Sequence, residues 1–392
     1  MLGPPQPAVP DLDRQLVQVL LAESDKAAGL VGFDLRVLQA YAEREGVSEM
    51  LRKASPGCFA AMPRDGDEAY PPLELLAKEG ARVAEAAEKA GVSLCIVKGA
   101  SVACLYPAGV ARQQSDVDVA VPDLDSAWRL IAAIEPLGYQ IGVLAVRRAS
   151  DGDYDANIAL WRRDSTFVEP LELEVWVRSQ PISRSFAMAL SSRIWARPSA
   201  DGFPPLVDRL AFLAADVLES GDITLRDCCD FAFISAVCDR STLGAFAADG
   251  EFFFLRRVIS GLARRTLSIP ELRRFCDGPA EHFAGMGGPL EACDAVSAGV
   301  AMGAALGREA AAVREFQLAR GPMDPSSCGD PLAVMRGGEY VRFLPAPRLA
   351  EPGPFSAARA DECVLLRTPI GIFLAEAALY CPTGTFSAAG GT

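Results

Sequence analysis

Seven residues, Ser115 to Val121 (S-D-V-D-V-A-V), constrain the fold more tightly than any other stretch of the chain. Polar and apolar side chains alternate there with the period of a strand, which sends Val117, Val119 and Val121 to one face and Asp116 and Asp118 to the other. One face of such a strand must enter a core. The other must give two neighbouring carboxylates a partner, because unpaired charge is costly to bury. The pattern therefore calls for a sheet whose two faces differ in chemistry, in a chain of 392 residues that is half apolar and can bury a substantial core.

The surroundings of this strand supply the rest of a sheet. Leu73 to Ala90 reads as a long helix closed by Gly91, and Val92 to Val97 as a short buried strand ended by Lys98-Gly99. Ala100 to Tyr106 allows a helical turn or two before Pro107 and Gly109. After the strand, Pro122-Asp123 is a stop, Ser126 to Glu135 a helix, and Tyr154 to Arg162 and Val168 to Arg178 two further strands. This order predicts a mixed sheet with helices against one face. Upstream, Asp11 to Glu23 and Asp34 to Ala54 carry apolar residues at helical spacing, and Ser55 to Pro72 is a Pro/Gly-rich linker. Downstream, Leu206 to Leu218, Leu225 to Val237, Phe252 to Leu267 and Leu290 to Leu318 read as helices. The tail from Gly321 is rich in Pro and Gly, with strand-like pieces at Tyr340 to Leu344 and Cys363 to Phe373. The expected division is a helical cap and linker over 1–72, a core over 73–200, a helical domain over 201–320 and a terminal segment over 321–392.

Two counts narrow the chemistry. His282 is the sole histidine, in a Gly/Pro-rich stretch from Asp277 to Pro289 that reads as a loop, so a Ser-His-Asp triad or a multi-histidine zinc site would have to run through that one residue. The eleven cysteines are scattered, and the adjacent pair Cys228-Cys229 lacks zinc-site spacing, so they read as reduced and mostly core. Carboxylates remain as the chemistry-bearing groups. Asp116 and Asp118 on one face are suited to a hard divalent cation, Mg²⁺ or Mn²⁺, which prefers oxygen ligands. A third carboxylate is expected from Leu171-Glu172-Leu173-Glu174-Val175-Trp176, where Glu172 and Glu174 share a face; either could complete a metal site or accept a proton. At the end of the preceding strand, Gly99 lets backbone come close to a phosphate and the following helix aims N–H groups at it, with Lys98 or Ser101 adding a contact. Arg112 and Arg178 could reach a phosphate oxygen from their loops.

Residues Gly91 to Val121 resemble the uncharacterised bacterial nucleotidyltransferases, a distant family of the DNA-polymerase-beta-like nucleotidyltransferase superfamily. The family pattern is an apolar strand ending in Lys-Gly-Ala, then Tyr-Pro, an Arg and a D-x-D strand, and its counterparts here are Lys98, Gly99, Ala100, Tyr106, Pro107, Arg112, Asp116 and Asp118. The likeness extends more loosely over residues 10 to 240, including Leu225-Arg226-Asp227. Two departures stand out. The superfamily's Gly-Ser after the first strand is Gly99-Ala100 here, with Ser101 one place late, and the third strand has Glu174-Val175-Trp176 where the family commonly carries an acid followed by His-Trp.

The resemblance implies an α+β fold: a polymerase-beta-like core with a mixed sheet, N-terminal helices and a helical C-terminal half. It further implies a transferase moving a nucleoside monophosphate, AMP from ATP in the first instance, to a hydroxyl or phosphate of a small molecule or peptide, with Asp116, Asp118 and Glu174 at the metal and Lys98 to Ser101, Arg112 and Arg178 at the nucleotide. Two other readings stay open: an inactive scaffold of the same fold that binds a protein partner through its C-terminal half, and a phosphotransferase using the same site. The formal net charge of −13 works against non-specific nucleic-acid binding. Prolines and acids at the start of the chain, and the lack of any run near the roughly 20 apolar residues a membrane span needs, make a cytoplasmic protein without a membrane partner the expectation.

Overall fold

The computed structural model describes residues 9–21, 35–54, 73–110, 112–163, 170–181, 187–190, 193–196, 202–220, 223–239, 255–286, 335, 341–345, 353–360 and 363–375. The chain folds into two compact units that interleave along the sequence. One comprises Met1–Asp67, Lys98–Gln114 and Leu206–Gly307; the other comprises Glu68–Val97, Ser115–Pro205 and Arg308–Thr392.

The second unit is built on a mixed sheet, with nine strands among the described residues. In chain order these are β1 (Cys95–Ile96), β2 (Asp116–Val121), β3 (Gln140–Arg148), β4 (Tyr154–Arg162), β5 (Leu171–Val177), and, beyond the short hairpin of β6 (Ser179–Pro181) and β7 (Ala187–Ala189), β8 (Val341–Pro345), β9 (Ser356–Ala360), β10 (Cys363–Thr368) and β11 (Gly371–Ala375). Their spatial order is β1-β2-β5-β4-β3-β8-β11-β10-β9. Among the described residues β2 and β5 run parallel and the other pairs are antiparallel. The alternation read in Ser115 to Val121 is realised in this sheet. Val117, Val119, Val121, Leu173, Val175, Val177, Ile158, Leu160, Leu144 and Val146 share one face and form a continuous core. Against that face lie Leu76, Val83 and Ala87 of a helix at Leu73–Lys89, and Trp128, Leu130, Ile131 and Ile134 of a helix at Leu124–Ile134. The second of these helices starts on the stop seen in sequence: the Asp123 carboxylate accepts from the Ser126 N–H at 2.7 Å. On the opposite face a small apolar group forms among the described residues, Val143, Ala145 and Ala159 with Trp161 and Leu344 packed on it.

Two features of this sheet escape the pattern reading. Strand β3 was not expected, because its alternation is interrupted at Gly142, where the pairing with β4 shifts register between Ile141 and Val143. The strands of the terminal segment extend the same sheet, with β8 pairing with β3; long-range pairing of this kind leaves no local signature.

The first unit is helical. Its helices are Val9–Leu20, Leu35–Arg44, Ser48–Ala54, Lys98–Ala103, Leu206–Ser220, Leu225–Val237, Arg256–Leu267 and Pro270–Met286. Glu45 ties three of them together: its carboxylate accepts from the Leu225 N–H at 2.9 Å and meets Arg265 at 2.8 Å, and Arg265 also reaches Asp13 at 3.1 Å. The expected loop around His282 is corrected over its described part. Residues 277 to 286 continue the helix Pro270–Met286, with Pro279 inside it. Buried Ala280 and Phe283 hold that turn in a helical core, so packing outweighs the hydrogen bond and the steric fit that the proline sacrifices. The linker read over 55–72 and the helix read over 290–318 lie outside the described residues.

The α+β class with a mixed sheet and flanking helices is therefore realised. Among the described residues no helix is long and apolar enough to cross a membrane.

Inside the second unit Glu79 is 1% exposed and gathers Arg82 at 2.7 Å, Arg162 at 2.9 Å and the Tyr139 hydroxyl at 3.2 Å. Replacing it by alanine leaves Arg162 facing the core without its anion. Glu79→Ala should cost about 3 kcal/mol or more of stability, read as an earlier denaturant midpoint, whereas Arg82→Ala, which removes a half-exposed partner, should cost about 1 kcal/mol or less.

Candidate functional site

The parallel pairing of β2 with β5 sets Asp116 level with Glu172 and Asp118 level with Glu174. Because paired residues of adjacent strands point the same way, all four carboxylates stand on one face of the sheet, opposite the valine-rich core face. Asp118 is buried at 4% exposure, while Asp116, Glu172 and Glu174 are half-buried. On the far side of β2 the Val97 N–H donates to the Asp118 carbonyl at 3.0 Å, so β1 holds the backbone of this strand at its acidic end.

Each glutamate accepts a hydrogen bond from an indole. Trp176 Nε1 donates to Glu174 Oε2 at 3.1 Å, along the same strand, and Trp161 Nε1 of β4 donates to Glu172 Oε1 at 3.3 Å, across the strand pair. The donor set suits a hard divalent cation in kind and in register. With the side chains as they stand, no three His, Cys, Asp or Glu groups among the described residues form a closed cage for an ion.

The residues expected at a nucleotide have defined partners. Lys98, Gly99, Ala100, Ser101 and Arg112 belong to the helical unit, while the carboxylates belong to the sheet unit; the chain passes from one to the other between Val97 and Lys98 and returns between Gln114 and Ser115. Lys98 has a positive φ of 47° and its ammonium meets Asp216 at 3.1 Å. The Ser101 hydroxyl donates to the Lys98 carbonyl at 2.8 Å, and Arg209 Nη1 donates to the Ser101 carbonyl at 2.7 Å, which fixes this left-handed turn from both sides. Gly99 is required by Arg112: a Cβ there would stand 2.5 Å from Arg112 Nη1. Ala100 lies half-buried in the same six-residue helix.

Arg112 is 7% exposed and makes a two-pronged ion pair with Asp230, Nε at 2.8 Å and Nη2 at 2.7 Å, while Nη1 donates to the Gln113 carbonyl at 3.0 Å. The Tyr106 hydroxyl donates to the same aspartate at 2.6 Å. Burial alone disfavours the charged guanidinium, but the Asp230 carboxylate more than offsets this and raises its hold on the proton. Burial, reinforced by the Asp230 charge, likewise keeps Tyr106 protonated well above the ordinary phenol range. The Leu225-Arg226-Asp227 segment starts a helix: Asp227 and Thr224 form a reciprocal capping box.

Arg178, the other non-glycine residue with a positive φ among those described, at 65°, follows β5. Its N–H donates to the Val121 carbonyl, at the end of β2 away from Asp116 and three residues, or about 10 Å, beyond Asp118. Its guanidinium meets Asp151, Asp153 at 2.7 Å and Asp155 at 3.7 Å around the turn between β3 and β4. The geometry thus brings together the four carboxylates and leaves Arg178 apart from them.

Asp230, Asp216, Trp161 and Gly142 did not emerge from the sequence. Asp230 had a usable signal, an acid inside the apolar run Cys228-Cys229-Asp230-Phe231-Ala232-Phe233, which requires a buried cation. Trp161 and Gly142 had none, since their relation exists only across strands.

No protein-family model matches the chain. No curated protein matches it either. Among solved structures it is similar to JHP933 from Helicobacter pylori, at 12% identity over 62% of this chain and 95% of that one with a TM-score of 0.26. It is also similar to a candidate nucleotidyltransferase from H. pylori, at 14% identity over 61% of this chain and 96% of that one with a TM-score of 0.21. Likeness this slight carries no argument about function, which has to come from the residues.

The Arg112–Asp230 pair makes a direct forecast for the helical unit. Asp230→Ala strands a buried guanidinium and should lower stability by roughly 3–5 kcal/mol, while the double variant Arg112→Met, Asp230→Ala should recover much of that loss in the same denaturant titration.

Proposed function

We propose that this protein is a metal-dependent nucleotidyltransferase of the polymerase-beta-like type, moving a nucleoside monophosphate from a triphosphate, ATP in the first instance, to a hydroxyl or phosphate on a small molecule or peptide. The observation that supports the reading is the register of β2 and β5, with Asp116 and Asp118 level with Glu172 and Glu174 on a single sheet face.

In this reading Asp116 and Asp118, with one of the two glutamates, hold Mg²⁺ or Mn²⁺. The bound cation would supply charge neutralisation at the phosphates and a lowered pKa for an attacking hydroxyl. The aspartates contribute negative charge fixed on a rigid strand, which selects a small hard cation and orients it. The glutamate not used as a ligand is suited to accept the proton of the incoming hydroxyl. Lys98, Gly99, Ala100, Ser101, Arg112 and Arg178 enter as proposed nucleotide contacts, with Lys98, Arg112 and Arg178 exchanging a present carboxylate partner for phosphate. The net charge of −13 favours a small or peptide acceptor over a nucleic-acid polymer.

A second reading is favoured by the ion pairs of Lys98, Arg112 and Arg178. It is a scaffold of the same fold that has given up turnover and binds a protein partner through its C-terminal half. Incubation with a nucleoside triphosphate, Mg²⁺ and a panel of acceptors separates the possibilities. Release of pyrophosphate supports the transferase, release of ADP a phosphotransferase, and no metal-dependent consumption the scaffold. Asp116→Asn and Asp118→Asn should each lower the pyrophosphate-releasing rate by about a thousandfold, the loss of roughly 4 kcal/mol of transition-state stabilisation, with the melting temperature unchanged within a few degrees. Wild-type rates in both variants would remove the transferase reading.

A further inference from the structure

Gly142 and Trp161 are assigned no task by the reading above, yet their geometry bears on it. Gly142 sits at the register shift between β3 and β4, and a Cβ built there would stand 2.4 to 2.6 Å from Cζ3, Cε3 and Cη2 of Trp161. These atoms belong to the six-membered ring, so that ring lies against the bare backbone of β3. The five-membered ring then points the other way, over β5, where Nε1 donates to Glu172 Oε1. The indole therefore lies crosswise on the sheet, seated on the strand to one side of β4 and bonded to the strand on the other.

The strand order gives this bond its consequence. β5 lies between β2 and β4, so a bond from Trp161 draws Glu172 toward β4 and away from the strand that carries Asp116 and Asp118. Glu174 is held differently: its indole partner, Trp176, is two residues along the same strand, and that bond does not pull it across the sheet. The two glutamates, which share a face by the strand period, are thereby held differently.

Resting on the proposed function, we infer that Trp161, seated on Gly142, is a positioning residue that withholds Glu172 from the cation site and leaves Glu174 as the third carboxylate. A glycine at 142 is part of the device, because any Cβ would lift the ring and break its aim. The register shift between Ile141 and Val143 falls at that position, where the missing Cβ leaves room for the ring.

The test is Mn²⁺ binding to the full chain, measured by the loss of the free-ion electron paramagnetic resonance signal, with thermal melting alongside. Trp161→Phe removes the N–H donor together with the outer ring that rests on Gly142. It should release Glu172 toward the aspartates and tighten Mn²⁺ binding by about three- to tenfold, an effect that vanishes when combined with Glu172→Gln. Glu174→Gln should weaken binding by about tenfold or more, and Glu172→Gln alone by less than about twofold. Gly142→Ala should act in the same direction as Trp161→Phe. A Trp161→Phe variant with unchanged affinity, or a Glu172→Gln variant as weak as Glu174→Gln, overturns the inference and leaves the transferase reading standing. A wild-type protein that takes up no Mn²⁺, with or without nucleotide, overturns both.

Discussion

Parallel pairing of β2 with β5 sets the level of each side chain in Asp116–Val121 against its counterpart in Glu172–Val177. A shift of one residue would turn the glutamates into the valine core and bring Leu173 and Val175 up beside the aspartates. The register is held from the core side, where Val117, Val119 and Val121 interlock with Leu173, Val175 and Val177 under two helices. Hydrophobic burial on one face thus determines where charge is placed on the other. The chemistry inherits its precision from packing that takes no part in it.

The same economy governs the cations. Arg112 secures Asp230 inside the helical unit, Arg162 secures Glu79 inside the sheet unit, and Arg178 fastens the turn between β3 and β4 through three aspartates. In an acidic chain such pairs keep buried charge tolerable, and each fixes one element against another. Positive φ at both Lys98 and Arg178 belongs with this: each residue turns the chain sharply at the end of a strand, and its side chain is then anchored by carboxylates.

Aromatic residues add a second layer of order on the acidic face. Trp161 and Trp176 each offer a single N–H to a glutamate, so these carboxylates have orientation as well as position. Indoles are suited to this because they are rigid, apolar over most of their surface and able to donate from one edge. A lysine or arginine in the same place would neutralise the carboxylate and compete with any cation.

Much of the sheet unit was legible in the sequence. Period-two alternation identified β2, strand-like runs on either side of a charged turn identified β4 and β5, and the spacing of Asp116 and Asp118 fixed their common face, because these are properties of residues close together in the chain. Helices at Leu73–Lys89, Leu124–Ile134, Leu206–Ser220 and Leu225–Val237 were likewise carried by local periodicity and caps. What depended on residues far apart was not legible. Strand β3 was hidden by the register shift at Gly142, and the helix through Pro279 by a local rule that tertiary packing overrode. The strand period set Glu172 and Glu174 on one face, and only the fold gave each its own indole donor. Sequence by itself determined which residues could share a face, since that follows from backbone geometry. Only the tertiary structure decided which strand stood beside which, and therefore which carboxylate each tryptophan could reach, because strand order is settled by burial summed over the whole sheet.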